Sequence, residues 1–161
     1  MIPITYLKGD ATRPVGDGTK LVVHCCNDIG AWGAGFVLAL SRRWPEPECF
    51  YRQWAEGIIT RPTFALGEVQ VVPVEAGIAV VNLIGQHGTG WRDGVPPIRY
   101  GAITTGLNRL RTRQLCLHPG TSVHMPRMGC GLAGGEWSHV ERIIIDTLSS
   151  RDVPVFIYDL H

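Results

Sequence analysis

A chain of 161 residues that is 45% hydrophobic carries enough apolar side chains for one sizeable core. Its formal net charge of +1 excludes a surface that gathers nucleic acid or acidic membrane by charge alone. The five cysteines contain no C-x-x-C pair and are odd in number, which fits reduced thiols better than a disulfide framework.

Met1 to Asp10 lack the charged and apolar stretches of a signal peptide, and no apolar run reaches the roughly 20 residues that span a membrane. The expectation is a soluble, cytoplasmic single domain over residues 1–161 with no membrane partner.

In chain order, Ile2 to Leu7 reads as a short strand and Lys20 to Cys26 as a buried, Val-rich one. Phe36 to Trp44 is predicted helical, stopped by Pro45, and Pro47 to Glu56 forms a second helix closed by Gly57. Glu68 to Val74 and Ile78 to Ile84 read as a hairpin about Glu75-Ala76-Gly77. Residues 85 to 97 read as loop. Pro97 to Arg111 reads as a helix with proline near its start. Ser122 to Met125 is a strand, Trp137 to Ser149 a helix and Val153 to Tyr158 the last strand. Helices interrupt strands throughout, which predicts an α/β fold: a mixed sheet with helices on both faces.

Two glycine-rich loops each run from a strand toward a helix. The first is Gly30-Ala31-Trp32-Gly33-Ala34-Gly35, and the second is Gly129-Cys130-Gly131-Leu132-Ala133-Gly134-Gly135. Glycine lets a ligand approach the main chain closely, and a helix start behind such a loop adds N–H donors. Two such loops at one sheet edge suggest a pyrophosphate held between them.

Gly129, Gly131 and Gly134 also spell G-x-G-x-x-G. The Met-Pro-Arg-Met stretch, however, separates them from the strand, where a dinucleotide fingerprint needs a tight turn. There is no P-loop, no G-x-S-x-G elbow and no cysteine followed six positions later by arginine. Histidines and carboxylates do not cluster at metal-ligand spacing, so neither metal nor cofactor is expected.

Cys130 reads as a small residue in a crowded loop. His24 and Cys25, as strand neighbours, face opposite sides and make no dyad. Asp10 is either a turn cap or a carboxylate for an adenine amine. Tyr158 is either core or a platform for a base.

Taken together, Ile4-Thr5-Tyr6-Leu7-Lys8-Gly9-Asp10-Ala11-Thr12, Val23-His24-Cys25-Cys26-Asn27 through Gly33-Ala34-Gly35-Phe36, and Met125-Pro126-Arg127-Met128-Gly129-Cys130-Gly131-Leu132 resemble the macrodomain family. The resemblance runs from about residue 2 to 160. It is nearest the branch of terminal ADP-ribose protein glycohydrolases and the yeast-type ADP-ribose-1″-phosphate phosphatases, and more distantly the DNA-linked ADP-ribose hydrolases.

It implies a three-layer α/β/α sandwich with a central mixed sheet and a cleft at the ends of the central strands. It also implies that Asp10 holds the adenine amine and Ala11 its ring atoms by backbone. Gly33, Ala34, Gly35 and Phe36 then line the diphosphate, Gly129, Cys130, Gly131 and Leu132 close over it and the distal ribose, and Tyr158 stacks near the adenine.

The family's lysine nucleophile and its aspartate helper align with Gln86 and Ala133, which can do neither job. The resemblance therefore leaves two readings. One is a hydrolase that positions a water, with Asn27, Gln86 and His87 as the polar residues to hold it and Asp28 the nearest carboxylate. The other is a module that only binds ADP-ribose. The implied partners are ADP-ribose and mono-ADP-ribosylated protein, with a nucleic-acid linkage or a 1″-phosphate as further substrates.

Overall fold

The computed structural model describes residues 1–160. Six strands form one sheet: β1 (Thr5–Lys8), β2 (Lys20–Asn27), β3 (Val69–Glu75), β4 (Ile78–Gln86), β5 (Ser122–Met125) and β6 (Val155–Asp159), in the order β1-β6-β5-β2-β4-β3. Only the β3–β4 hairpin is antiparallel. The helices are α1 (Phe36–Arg43), α2 (Glu46–Ala55), α3 (Tyr100–Arg113) and α4 (Trp137–Thr147).

Side-chain alternation along β2 sorts the core into two layers. Leu21 and Val23 join Ile103, Leu107 and Leu110 of α3 and Val140 and Ile144 of α4 on one face. Val22 and Cys26 join Val37 and Leu40 of α1 and Tyr51 and Trp54 of α2 on the other. The result is the expected three-layer α/β/α sandwich with a mixed central sheet.

Two glycines set the distance between α3 and the sheet. A Cβ at Gly106 of α3 would lie 2.7 Å from Leu83 Cγ of β4, and one at Gly85 would lie 2.7 Å from Cys25 Sγ and 2.9 Å from Ile103 Cγ1. Neither position tolerates a side chain without displacing a neighbour.

Several boundaries differ from those read off the sequence. β1 begins at Thr5 and β4 continues to Gln86. Helix α3 starts at Tyr100 rather than Pro97 because the intervening residues pair instead of coiling. The Arg99 N–H donates to the Gly85 carbonyl at 2.8 Å, the Ile98 N–H to Ala133 at 3.0 Å, and the His87 N–H to Pro97 at 2.8 Å. Arg99 is accordingly extended.

Candidate functional site

Five of the six strands run the same way, so the ends of β1, β2, β4, β5 and β6 share one edge of the sheet. Asn27 and Gln86 are register partners there. The chain goes from β2 to β3 and β4 on one side and later, through α3, to β5 on the other, the arrangement that opens a crevice outside the carboxyl ends of strands.

The first loop is organised by Asn27. Its Oδ1 accepts the N–H groups of Ile29 and Ala31, its Nδ2 donates to the Ala31 carbonyl at 2.8 Å, and the buried Tyr51 hydroxyl sits 2.8 Å from Oδ1. Trp32 then drops into the core, where its indole donates to Ser41 Oγ at 2.8 Å. Gly35 precedes the first turn of α1 with φ 79° and ψ −145°, a conformation that only glycine adopts readily.

The second loop is tied to the segment before α3. The Gly135 N–H donates to the Gly129 carbonyl at 2.8 Å, and the Glu136 N–H to the Tyr100 hydroxyl at 3.0 Å. The N–H groups of Gly33, Ala34, Gly35, Gly131, Leu132 and Ala133 have no acceptor among the described residues. A Cβ at Gly33 or Gly131 would meet nothing within 4 Å, so the space beside both glycines is open.

Three cavities run together along this edge. One of about 590 Å3 lies between the loops and is lined by Gly33, Ala34, Gln86, Thr89, Trp91 and Gly131, among others. The next, about 390 Å3, shares Ala34, Gln86 and Gly131 with it and adds Gly35, Phe36, Gly129, Ala133 and Leu160. The third, about 400 Å3, shares Ala39 and Arg42 with the second and ends on Asp10, Thr12 and Arg13. The cleft thus extends from Trp91 at one end to Asp10 at the other.

Most of the expected ligand residues meet in it. Gly33, Ala34, Gly35, Phe36, Gly129, Gly131 and Leu132 line its walls, and Asp10 lies at the far end. Ala11 is buried and lines none of the cavities. Gln86 and Ala133, the positions aligned with a lysine and an aspartate, line the same cavity.

Four of the expected site residues are tied into the fold or stand outside the cavity walls. Tyr158 is no stacking platform: it is 5% exposed, its hydroxyl accepts the Val15 N–H at 3.0 Å and bonds His124 Nδ1 at 2.7 Å, and its neighbour Leu160 lines the cleft instead. Cys130 is absent from the cavity walls. Its N–H is spent on the Arg127 carbonyl, its side chain packs against the core, and burial raises its thiol pKa, so its role is the small residue of a tight turn.

Asn27 has its carbonyl oxygen and Oδ1 committed to the loop and to Tyr51, so it braces the first loop from within the cavity wall. His87 lies outside the cavity walls, paired through Nδ1 with Asp28 Oδ2 at 2.7 Å. Burial alone would raise Asp28, but the Gly88 N–H and His87 outweigh it and hold the carboxylate below its usual range. Asn27 and Gln86 both line the first cavity, whereas His87 does not, and Gln86 also lines the second. Gln86 Nε2 donates to the Gly88 carbonyl at 3.0 Å, and its Oε1 has no protein donor among the described residues.

Sequence reasoning missed Arg42, Arg127, Trp91 and Leu160. Helical spacing carries the signal for Arg42, which comes three residues after Ala39 on α1 and lines the same two cavities. Nothing local marks Trp91, whose position depends on how the 87–99 loop folds over Gly134. Arg127 lines the cleft, but its guanidinium is held by Asp159 at 2.7 and 3.0 Å and by the Tyr6 and Trp137 rings. Cys25 also reaches the cleft, where burial pushes its thiol up to about 12 and keeps it protonated. Among the described residues no group of three His, Cys, Asp or Glu could hold a metal ion, and no helix is long and apolar enough to cross a membrane.

Comparison with solved structures matches this architecture to a macrodomain protein from Streptomyces coelicolor, with 50% identity and a TM-score of 0.83 over 98% of this chain and 99% of that one. The chain belongs to the macrodomain family. A Bacteroides thetaiotaomicron protein of unknown function is similar at 49% identity and a TM-score of 0.93, over 99% of each chain. The macrodomain of Mycobacterium tuberculosis DarG is similar at 26% identity and a TM-score of 0.72, over 98% of each chain.

Among curated proteins, the mouse chromodomain-helicase-DNA-binding protein 1-like is 29% identical over 163 aligned residues, covering 96% of this chain and 17% of that protein. The chain thus spans about a sixth of the length of that relative. The human ADP-ribose glycohydrolase OARD1 is 27% identical over 98% of this chain and 91% of its own length. No family model matches the chain.

Proposed function

We propose that this macrodomain binds ADP-ribose along the cleft and hydrolyses it from ester-linked, glutamate- or aspartate-modified protein or from related ADP-ribose esters. The observation that carries the reading is the set of backbone N–H groups, at Gly33 to Gly35 and Gly131 to Ala133, that have no protein acceptor and belong to opposite walls of one cleft. Such donors suit a diphosphate, which accepts from many amides at once. The names of two relatives, an ADP-ribose glycohydrolase and an ADP-ribose 1″-phosphate phosphatase, fit the same ligand.

In this reading Asp10 takes the adenine amine at one end, and the distal ribose lies near Gln86 at the other. Gln86 cannot form a covalent intermediate, and Ala133 cannot move a proton. The step left to this cleft is addition of a water, held by Gln86 Oε1, to the anomeric carbon. The carboxylate leaves with the bonding electrons, and the proton lost by the water passes to it or to solvent. Rate then comes from alignment and fixed dipoles rather than from a strong base.

The protein is incubated with mono-ADP-ribosylated protein carrying glutamate linkages, and free ADP-ribose is measured with borohydride present and absent. Release without a trapped adduct is expected, and a trapped enzyme–sugar adduct overturns the mechanism. The absence of a nucleophile at Gln86 and Ala133 favours a second reading, a non-catalytic ADP-ribose reader. Binding without release from any ester substrate at high enzyme concentration would establish it.

A further inference from the structure

Beyond the loops, the cleft ends in a cavity of about 400 Å3 whose walls are unusually cationic: Arg13, Arg42 and Arg43 face it with Asp10 and Thr12. Arg43 is committed, lying 3.3 Å from Glu75 and over the Trp44 ring. Arg13 and Arg42 have no carboxylate within 4.0 Å and no side-chain hydrogen bond among the described residues. This holds although Asp10 shares the cavity.

Asp10 is itself turned to its own loop, its Oδ1 accepting the Thr12 N–H and Thr12 Oγ1–H, each at 2.8 Å. Two uncompensated guanidinium groups therefore share a concave space with one carboxylate. Arginine's planar fork matches phosphate oxygens two at a time. Arg42 and Ala39 also line the adjoining cavity, so the cationic end is continuous with the cleft.

We infer that Arg13 and Arg42 form a phosphate site at the adenosine end of the cleft, so that the protein prefers ADP-ribose carrying a phosphate ester on its adenosine ribose. This rests on the ADP-ribose reading of the cleft and adds to it a class of ligand, one with a third phosphorus beyond the diphosphate. A 2′-phosphate monoester offers such a group directly, whereas in an ADP-ribose dimer the same 2′ oxygen carries a ribose through a glycosidic bond and the next phosphate lies beyond that sugar.

Calorimetry with three probes tests it: ADP-ribose, ADP-ribose bearing a 2′-phosphate, and an ADP-ribose dimer joined through that 2′ oxygen. The 2′-phosphate probe is expected to bind about tenfold more tightly than ADP-ribose, the gain of one charge-assisted contact. A gain confined to the monoester supports the site, and a gain confined to the dimer, which has no phosphate ester on that oxygen, overturns it.

In Arg13→Ala and Arg42→Ala the ratio of affinities should fall toward one. Arg13→Gln repeats the measurement with a side chain of similar length should the alanine variant fold poorly. Equal affinities for all three probes in the parent protein overturn the phosphate site alone, and so does a preference that survives loss of both arginines. Failure of ADP-ribose itself to bind overturns the reading of the cleft.

Discussion

The hydroxyl of Tyr51 lies 2.6 Å from the Asn27 carbonyl oxygen and 2.8 Å from its Oδ1, so helix α2 holds the residue that in turn holds the first glycine loop. The link runs from the second core layer to the cleft wall. Tyr51→Phe keeps the buried ring and removes only the anchor. It should cost about 1–2 kcal/mol of stability, the usual loss when a buried partner is left unsatisfied. ADP-ribose should also bind more weakly because the loop amides lose their fixed positions. Thermal melting and calorimetry on the same variant check both; unchanged affinity would show that the loop holds itself.

Gly131→Glu should abolish ADP-ribose binding and leave the fold intact. A Cβ there meets nothing within 4 Å, so the backbone accepts the side chain while its carboxylate enters the space of the diphosphate. A melting temperature near that of the parent protein with no heat of binding is the expected pair of results. A folded variant that binds normally would remove the second loop from the site.

Asp10→Ala should weaken ADP-ribose by about 1–3 kcal/mol and spare ribose 5-phosphate, which has no adenine. Because Asp10 also caps its own turn through Thr12, the comparison of the two ligands separates the roles. Equal losses for both would assign Asp10 to the turn alone.

Acid should destabilise the protein between about pH 6.5 and pH 4. Burial lowers His24 to about 4, and burial together with Lys20 lowers His124 to about 4. Both are neutral in the folded state over this window, while the unfolded chain, with its histidines near 6.5, takes up protons. Stability is therefore fully present above pH 6.5 and falls by up to about 1.4 kcal/mol per pH unit for each histidine until the folded values are reached. His124→Gln should flatten the profile of melting temperature against pH. A melting temperature constant across that range would contradict the assignment.

The order of elements was legible because β2, β3 and β4 are Val- or Ile-rich runs with glycine close to their ends, and because a glycine loop comes shortly after β2 and after β5. The start of α3 was not, since Pro97-Ile98-Arg99 satisfies its amides through Gly85 and Ala133, residues far along the chain. In the site, glycines of both loops line the cavities, but side-chain type could not distinguish a residue whose polar atoms are free from one spent on the fold. Asn27 and Tyr158 have the chemistry of ligand residues, and their polar atoms are occupied by Tyr51, His124 and backbone. Gln86, one register step away, keeps Oε1 free because β4 ends there.

The close approach of α3 to the sheet makes five positions mutually dependent during sequence drift. Gly106 excludes a methyl because Leu83 fills the contact, and Gly85 excludes one because Cys25 and Ile103 do. Alanine at Gly106 can persist only where Leu83 has shrunk first, and alanine at Gly85 only beside a smaller neighbour than Cys25 or Ile103. Gln86 follows Gly85 immediately, so an uncompensated change there would swing the cleft floor along with the helix. Paired replacement at Gly106 and Leu83 is thus the route by which a descendant of this chain can vary the spacing of its layers and keep Gln86 in place.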